Sequence, residues 1–349
     1  MCAAGSLDWV SAQSRAGRPR RRLSKQALVR RLSGVHNFQI TPFLADYGLD
    51  GAGLRDNISA LVQVVSDPTV FVVSGGLGEL FTLSVDEHAE LVKMAVKGAG
   101  GRFPVVAGVG GGYANVRLMA RNAEVAGADA IIVFASPFAC DDAEGAYEYV
   151  REAARSVSIG VLVYNCGQKD FWPDVLRRLA ALPNVVGIKD GSGDVAVGKA
   201  LGDVVGDSFL WAAEGEEHAQ NAMPLGARAY TTAVAAFVPD ACNEFWAAGV
   251  DGDVENMKEL RETRIDPVAK LRSVQTGYGI SGIKVALESL GRAGGPVRPP
   301  GKQVTPQDRA KITAIALEHT EEDVQAAESD WRSKGVTPRT TGGRVRKKG

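Results

Sequence analysis

From about residue 34 to residue 240 the chain repeats one pattern: a short apolar run, a turn, then a stretch with apolar residues at helical spacing. Short β-branched runs bounded by turn residues read as buried strands, and apolar positions three and four apart read as amphipathic helices. The strand candidates are Val35–Thr41, Thr69–Val73, Val105–Gly108, Ala130–Phe134, Gly160–Tyr164, Val185–Lys189, Leu210–Ala213 and Ala229–Thr232. Eight strands, each followed by a helical stretch, predict an α/β fold of the (β/α)8 TIM-barrel type. A doubly wound sheet is the alternative, but it wants a phosphate-binding glycine fingerprint after its first strand, and none is present.

Helix punctuation agrees. Ser84 and Glu87 have the spacing of a capping box ahead of Leu91 and Ala95, and Gly127 suits a helix C-terminus. After Thr232 the pattern turns helical only, at about 240–249, 252–264, 266–274, 279–291 and 306–328, with the extended connector Gly295–Pro300 before the last. The expected organisation is a basic, disordered extension over 1–33, a barrel over 34–239, a C-terminal helical appendage over 240–328 and a basic, disordered tail over 329–349.

A net charge of -1 hides an asymmetry. Residues 1–34 carry seven Arg and one Lys against one Asp, and residues 331–349 carry four Arg and three Lys with no acid, so each end is +7 and the body is -1 - 14 = -15. An acidic body argues against a nucleic-acid groove. The cysteines Cys2, Cys140, Cys166 and Cys242 show no zinc spacing or close pairing, which fits a reducing, cytoplasmic setting. No apolar run approaches the ~18 residues that span a bilayer, so no membrane partner is expected. The N-terminal segment has the Arg- and Ser-rich look of a transit peptide, but Gly and Pro interrupt any amphipathic helix, and it reads as an extension.

In such a barrel the working groups lie at the C-terminal ends of strands. Those ends present Thr41, Gly75–Glu79, Ser136–Phe138, Tyr164-Asn165, Lys189-Asp190, Glu214-Gly215 and Thr231-Thr232. Lys189 ends an apolar run where its ammonium would lose water, and desolvation favours the neutral, nucleophilic amine. A lysine leaving the strand for solvent, or pairing with Asp190, is the plainer alternative. Tyr164 ends the neighbouring strand, so its phenol can serve a proton-transfer role beside that amine, or pack as an ordinary aromatic.

Taken together, Gly75-Gly76-Leu77-Gly78-Glu79, Val163-Tyr164-Asn165, Ile188–Asp194, Phe237-Val238-Pro239, Gly277-Tyr278-Gly279 with Ile283-Lys284, and Gly294–Pro300 resemble the dihydrodipicolinate synthase and N-acetylneuraminate lyase superfamily. Within it the chain looks like the branch of 5-dehydro-4-deoxyglucarate dehydratases, and the similarity covers about 34–320. The resemblance implies a Schiff-base lyase acting on a 2-oxo acid, with Lys189 as the amine and Tyr164 as the proton-transfer residue. It also implies that the loop Gly75–Glu79, with Gly75, Gly76 and Leu77, holds the substrate carboxylate through backbone N–H groups; Thr41, Thr231 and Thr232 at the strand ends, and Lys169, are the further substrate-binding candidates. The protonated imine is the electron sink, so no metal or organic cofactor is implied, and a homo-oligomer, dimer or tetramer, is. Dehydration is favoured. Aldol or retro-aldol chemistry with pyruvate, and a non-catalytic keto-acid-binding barrel, are the alternatives.

This chain departs from the family pattern at several places. Leu77 stands where the family offers a hydroxyl. Phe138-Ala139 follows the Pro where the synthase branch has a second tyrosine, Lys169 falls where the synthase has a carboxylate-binding arginine, and Ala236 replaces an asparagine. The substrate-reading positions have changed while the lysine and tyrosine remain.

Other signals have plainer readings. Gly108–Gly112 misses the third-glycine spacing of a dinucleotide loop. His36, His88, His218 and His319 lack metal-ligand spacing, although Glu214, Glu216, Glu217 and His218 cluster after the seventh strand. Glu79 reads as a loop cap, Asp190 and Asp194 as loop-shaping residues, and Cys166 as a possible pocket wall with no visible base.

Overall fold

The computed structural model describes residues 23–135, 142–165, 173–206, 208–322 and 324–325. The strands are β1 Gly34–Phe38, β2 Thr69–Val73, β3 Val105–Gly110, β4 Ala130–Phe134, β5 Gly160–Asn165, β6 Val185–Asp190, β7 Leu210–Glu214 and β8 Ala229–Thr232. They pair in parallel, in chain order, and β8 closes on β1. The helices are α1 Lys25–Leu32, α2 Gly51–Val64, α3 Val85–Ala99, α4 Tyr113–Ala126, α5 Ala143–Arg155, α6 Pro173–Ala180, α7 Val195–Val205, α8 Gly215–Ala222, α9 Pro239–Asp251, α10 Val254–Leu260, α11 Asp266–Ala269, α12 Ser281–Ser289 and α13 Pro306–His319. The fold is the (β/α)8 barrel with C-terminal helices that the periodicity predicts.

Strand residues alternate between lumen and helix layer, so the register assigns every side chain to one face. Thr231 pairs with His36, His36 with Val70, Tyr164 with Lys189, Lys189 with Ala212, and Glu214 with Thr231. These residues share the lumen. Their neighbours Asn165, Asp190, Trp211 and Tyr230 face the helices. Packing in the helix layer is tight: Tyr230 meets Phe245 edge-on at 5.1 Å and donates its hydroxyl to the Cys242 carbonyl at 2.9 Å. Both partners lie on α9, which is therefore the eighth helix of the ring. The barrel runs to Asp251, beyond the boundary at 239 expected from sequence.

The other correction lies at the start. Residues 25–32, expected to belong to a disordered extension, form α1. Leu28, Val29 and Leu32 make one apolar stripe, which is buried, and Ser24 caps the helix by accepting the Ala27 N–H. The Arg30-Arg31 pair masks this stripe in the sequence. Arg31 is paired with Asp129 at 3.0 Å, and Lys25 donates to the Ala180 carbonyl at 2.6 Å. Leu28 packs beside Gly160 at the start of β5, so α1 closes the N-terminal end of the barrel. Residues 1–22 and the tail 329–349 lie outside the described residues.

The expected caps are present. Ser84 and Glu87 exchange both bonds of a capping box, and Gly127 takes the left-handed C-cap conformation. The segment after α13 also returns to the ring: Glu321 accepts the N–H groups of Asp240 and Ala241 at 2.9 Å each, capping α9.

Candidate active site

At the C-terminal rim, Lys189 and Tyr164 face each other across neighbouring strands. Lys189 Nζ lies 3.9 Å from the centroid of the Tyr164 ring and 5.7 Å from that of Phe38. Phe134 packs against the Tyr164 ring, edge-on at 4.9 Å. The lysine side chain is only 5% exposed.

The partner of the amine is Glu214, not Asp190. Glu214 Oε1 lies 2.9 Å from Lys189 Nζ, and both carboxylate oxygens lie 3.4 Å from the Tyr164 hydroxyl. Burial favours the neutral amine and the carboxylate favours the ammonium, so two opposed influences act on one nitrogen. Asp190 faces the helix layer by strand parity. It accepts from Asn165 Nδ2 at 3.2 Å and from the Ser192 N–H at 3.0 Å, and Asp194 caps α7, so both shape the loop as expected.

The loop after β2 begins against the same aromatic cluster. A Cβ on Gly75 would lie 2.8 Å from Phe38 Cε1 and 3.4 Å from Phe134 Cζ, so only glycine lets this backbone approach the rings beside the amine. Among the described hydrogen bonds, the N–H groups of Gly76, Leu77 and Gly78 donate to no backbone carbonyl. They are available to an anion, as in a backbone nest. Leu77 packs its side chain against the core.

The threonines divide. Thr41 is buried and donates Oγ1 to the Gly78 carbonyl at 2.6 Å, so it supports the loop from below. Thr231 faces the lumen beside Glu214. Thr232, expected in the mouth, turns to the helix layer, where its Oγ1 accepts the Val234 N–H at 3.1 Å and Glu216 hydrogen-bonds to it. It is not a lumen residue, because Thr231 already holds that parity. Burial raises the Glu216 carboxyl above its ordinary range. Lys169, Cys166 and Ser136–Phe138 lie outside the described residues.

Glu79, which reads from the sequence as a loop cap, does bond backbone, and the backbone is that of a distant segment. Its backbone is left-handed (φ 53°), and its carboxylate accepts the Arg298 N–H at 2.8 Å and pairs with Lys284 Nζ at 2.5 Å. Both side chains are almost closed to solvent, Lys284 at 1% and Glu79 at 4%. Lys284 also donates to the Pro296 carbonyl at 2.8 Å and lies over the Phe43 ring at 4.4 Å. Burial lowers its ammonium to about 8 despite the opposing pull of Glu79. Arg298 adds bonds to the Thr82 and Tyr47 carbonyls and a bidentate pair with Glu87. The C-terminal helices and connector thus clamp the loop that follows β2.

Below the amine, His36 Nε2 lies 2.7 Å from the Leu32 carbonyl, which fixes it as the N–H donor. Burial, helped by the nearby Lys189 charge, holds this imidazole neutral down to about 4. His218, on α8, approaches Asp190 at 3.8 Å, but no group of three or more His, Cys, Asp or Glu side chains that could hold a metal ion occurs among the described residues. No helix among them is long and apolar enough to cross a membrane.

Comparison with known proteins agrees with this architecture. The model of the Dihydrodipicolinate synthetase family matches residues 31–319. A probable 5-dehydro-4-deoxyglucarate dehydratase of Bradyrhizobium diazoefficiens is 36% identical over 287 residues, 81% of this chain and 91% of that protein. A second protein of that name from Streptomyces avermitilis is 35% identical over 285 residues, 81% of this chain and 86% of its own. Among solved structures, dihydrodipicolinate synthase of Bacillus clausii superposes with a TM-score of 0.75 at 26% identity, covering 83% of this chain and 99% of that one. The Acinetobacter baumannii synthase, solved with pyruvate, gives 0.71 at 28% identity, covering 84% and 98%.

Proposed function

The chain belongs to the dihydrodipicolinate synthetase family, and on that premise we propose that it is a lyase whose Lys189 condenses with a 2-oxo acid and whose reaction then expels water. The observation that carries this reading is the buried Lys189 amine at the rim of β6, stacked on Tyr164 and bonded to Glu214. An amine removed from water and held beside proton-transfer groups is the arrangement imine chemistry requires.

Lys189 attacks the C2 carbonyl, and loss of water from the carbinolamine leaves an iminium. Tyr164 passes protons during that dehydration. The N–H groups of Gly76, Leu77 and Gly78 hold the substrate carboxylate while Thr41 keeps their loop in place. The iminium acidifies the C3–H bond, and a hydroxyl on C4 departs. A 4-deoxy-5-oxo sugar acid, of the kind in the relatives' names, has this arrangement when it is numbered from its keto end, which makes the ketone C2, the deoxy carbon C3 and the next hydroxyl-bearing carbon C4. Leu77 in place of a hydroxyl supports a change in the substrate read by the loop, and it is the one observation that favours a non-catalytic keto-acid-binding barrel instead.

The test is reductive trapping. Borohydride added with pyruvate or with a 4-deoxy-5-oxo sugar acid leaves a reduced adduct on Lys189, and Lys189→Ala abolishes it. An unchanged protein mass across a broad panel of 2-oxo acids overturns the reading. Product analysis separates dehydration from carbon–carbon cleavage.

A further inference from the structure

Glu214 is the last residue of β7, and its register with Thr231 turns it into the lumen. Its carboxylate touches both groups that exchange protons in an imine reaction: the Lys189 amine at 2.9 Å and the Tyr164 hydroxyl at 3.4 Å. The longer of these contacts is of the kind that tightens when substrate binds. Exposure separates Glu214 from the amine it touches. Lys189 is 5% exposed and Glu214 43%, so a ligand entering the mouth reaches the carboxylate on its way to the nitrogen.

The backbone opposite is cut to fit. A Cβ on Gly191 would collide with Glu214 Oε2, lie 2.9 Å from Tyr164 Cε2 and press on the Asn165 carbonyl at 2.7 Å. Glycine at this position leaves the carboxylate and the phenol room to move together. On the β2 side, Leu77 offers no group able to carry a proton. Among the described residues, β5 and β7 supply the phenol and the carboxylate that meet beside the amine.

We infer that Glu214 is a catalytic residue that takes the proton from C3 of the iminium and returns it to the hydroxyl leaving C4; this rests on the Schiff-base reading above. In the first step the C3–H bond breaks, its electron pair forms C2=C3, and the iminium nitrogen regains its lone pair. In the second, that lone pair re-forms C=N, the double bond shifts to C3=C4, and the C4–O bond breaks. The proton held by Glu214 goes to the departing oxygen. Water leaves, the carboxylate is restored, and no oxidant or other reactant enters.

The test follows two readouts on the full-length chain with pyruvate and 2-oxobutanoate: the borohydride adduct, and exchange of C3 protons for deuterium followed by NMR. Glu214→Gln keeps the side chain's size and removes its basicity. It should form the adduct while exchange falls about 100-fold or more, and Glu214→Asp should recover at least tenfold of that. In Glu214→Ala, added formate should restore exchange in proportion to its concentration, which a purely structural carboxylate would not permit. Exchange in Glu214→Gln within threefold of wild type overturns the assignment. So does loss of the adduct together with exchange in a variant of unchanged melting temperature, because Glu214 would then only set the amine. Failure of Glu214→Gln to fold leaves the decision to Glu214→Ala, where the absence of formate rescue overturns it. A wild-type chain that forms no adduct sinks the Schiff-base reading itself, and that outcome is distinct from all of these.

Discussion

Lys284, on a helix that follows the barrel, reaches the loop behind β2 and pairs with Glu79 at 2.5 Å, with both side chains buried. Two charges taken from water stabilise a fold only when well matched, yet removing one partner leaves the other stranded. Glu79 sits in a left-handed turn directly after the Gly76–Gly78 N–H groups, so the pair fixes the conformation that presents those groups.

Replacing Lys284 should therefore be costly and pH-sensitive. Lys284→Met should destabilise the chain by about 3–5 kcal/mol at neutral pH and raise KM for a 2-oxo acid more than it lowers kcat. The pH effect has a definite sign. Lys284 titrates near 8 when folded and at 10.5 in the ordinary state, so the unfolded chain binds more protons between these values. Its contribution to stability is present above 10.5 and is lost as pH falls through 8, a change of about 3 kcal/mol. Urea unfolding of wild type against Lys284→Met from pH 7 to 10.5 should show this rise in the wild type alone.

His36 gives the corresponding effect in acid. Its folded value of about 4 lies below the ordinary 6.5, so the unfolded chain again binds the extra proton. Stability from the neutral imidazole is complete above 6.5 and falls as pH drops through 4, by about 3 kcal/mol. A His36→Gln variant should lose this slope. A wild-type unfolding midpoint that stays level from pH 6.5 to 4 would contradict the buried, neutral assignment.

Tyr164→Phe removes the hydroxyl and keeps the ring that covers the amine and packs on Phe134. Turnover should fall about 10²–10⁴-fold, while the borohydride adduct still forms and the melting temperature moves by no more than a few degrees. Turnover equal to wild type would reduce Tyr164 to a packing residue.

Leu77→Thr restores a hydroxyl to the loop that follows β2. Because Leu77 packs against the core, the exchange should cost about 1–2 kcal/mol of stability. If the loop holds a carboxylate, the new donor should lower KM for pyruvate several-fold, measured by the concentration dependence of trapping. An unchanged or higher KM would place the carboxylate elsewhere.

Much of the barrel could be read from periodicity, and three strands have the expected ends, as at Thr69–Val73. Lys189 and Tyr164 were visible because each is a polar residue closing an apolar run. Glu214 is less visible: the apolar β7 run stops at Ala213, one residue short of the strand, and an acid after a strand reads as a helix start. Thr232 reads as a mouth residue because two adjacent threonines look alike until register sets their faces. Lys284 and Glu79 could not be paired from sequence, since nothing local joins a charged residue to one on a distant element. In α1 the reverse happened, with Arg30 and Arg31 hiding three buried apolar residues.

That short helix also gives the molecule a usable underside. Gln26 and Arg30 lie on its exposed face, one turn apart, at the end of the barrel away from the reactive amine. A cysteine introduced at either place would let a dye or a solid support be coupled floor-down, leaving the opposite opening free for substrates and trapping reagents.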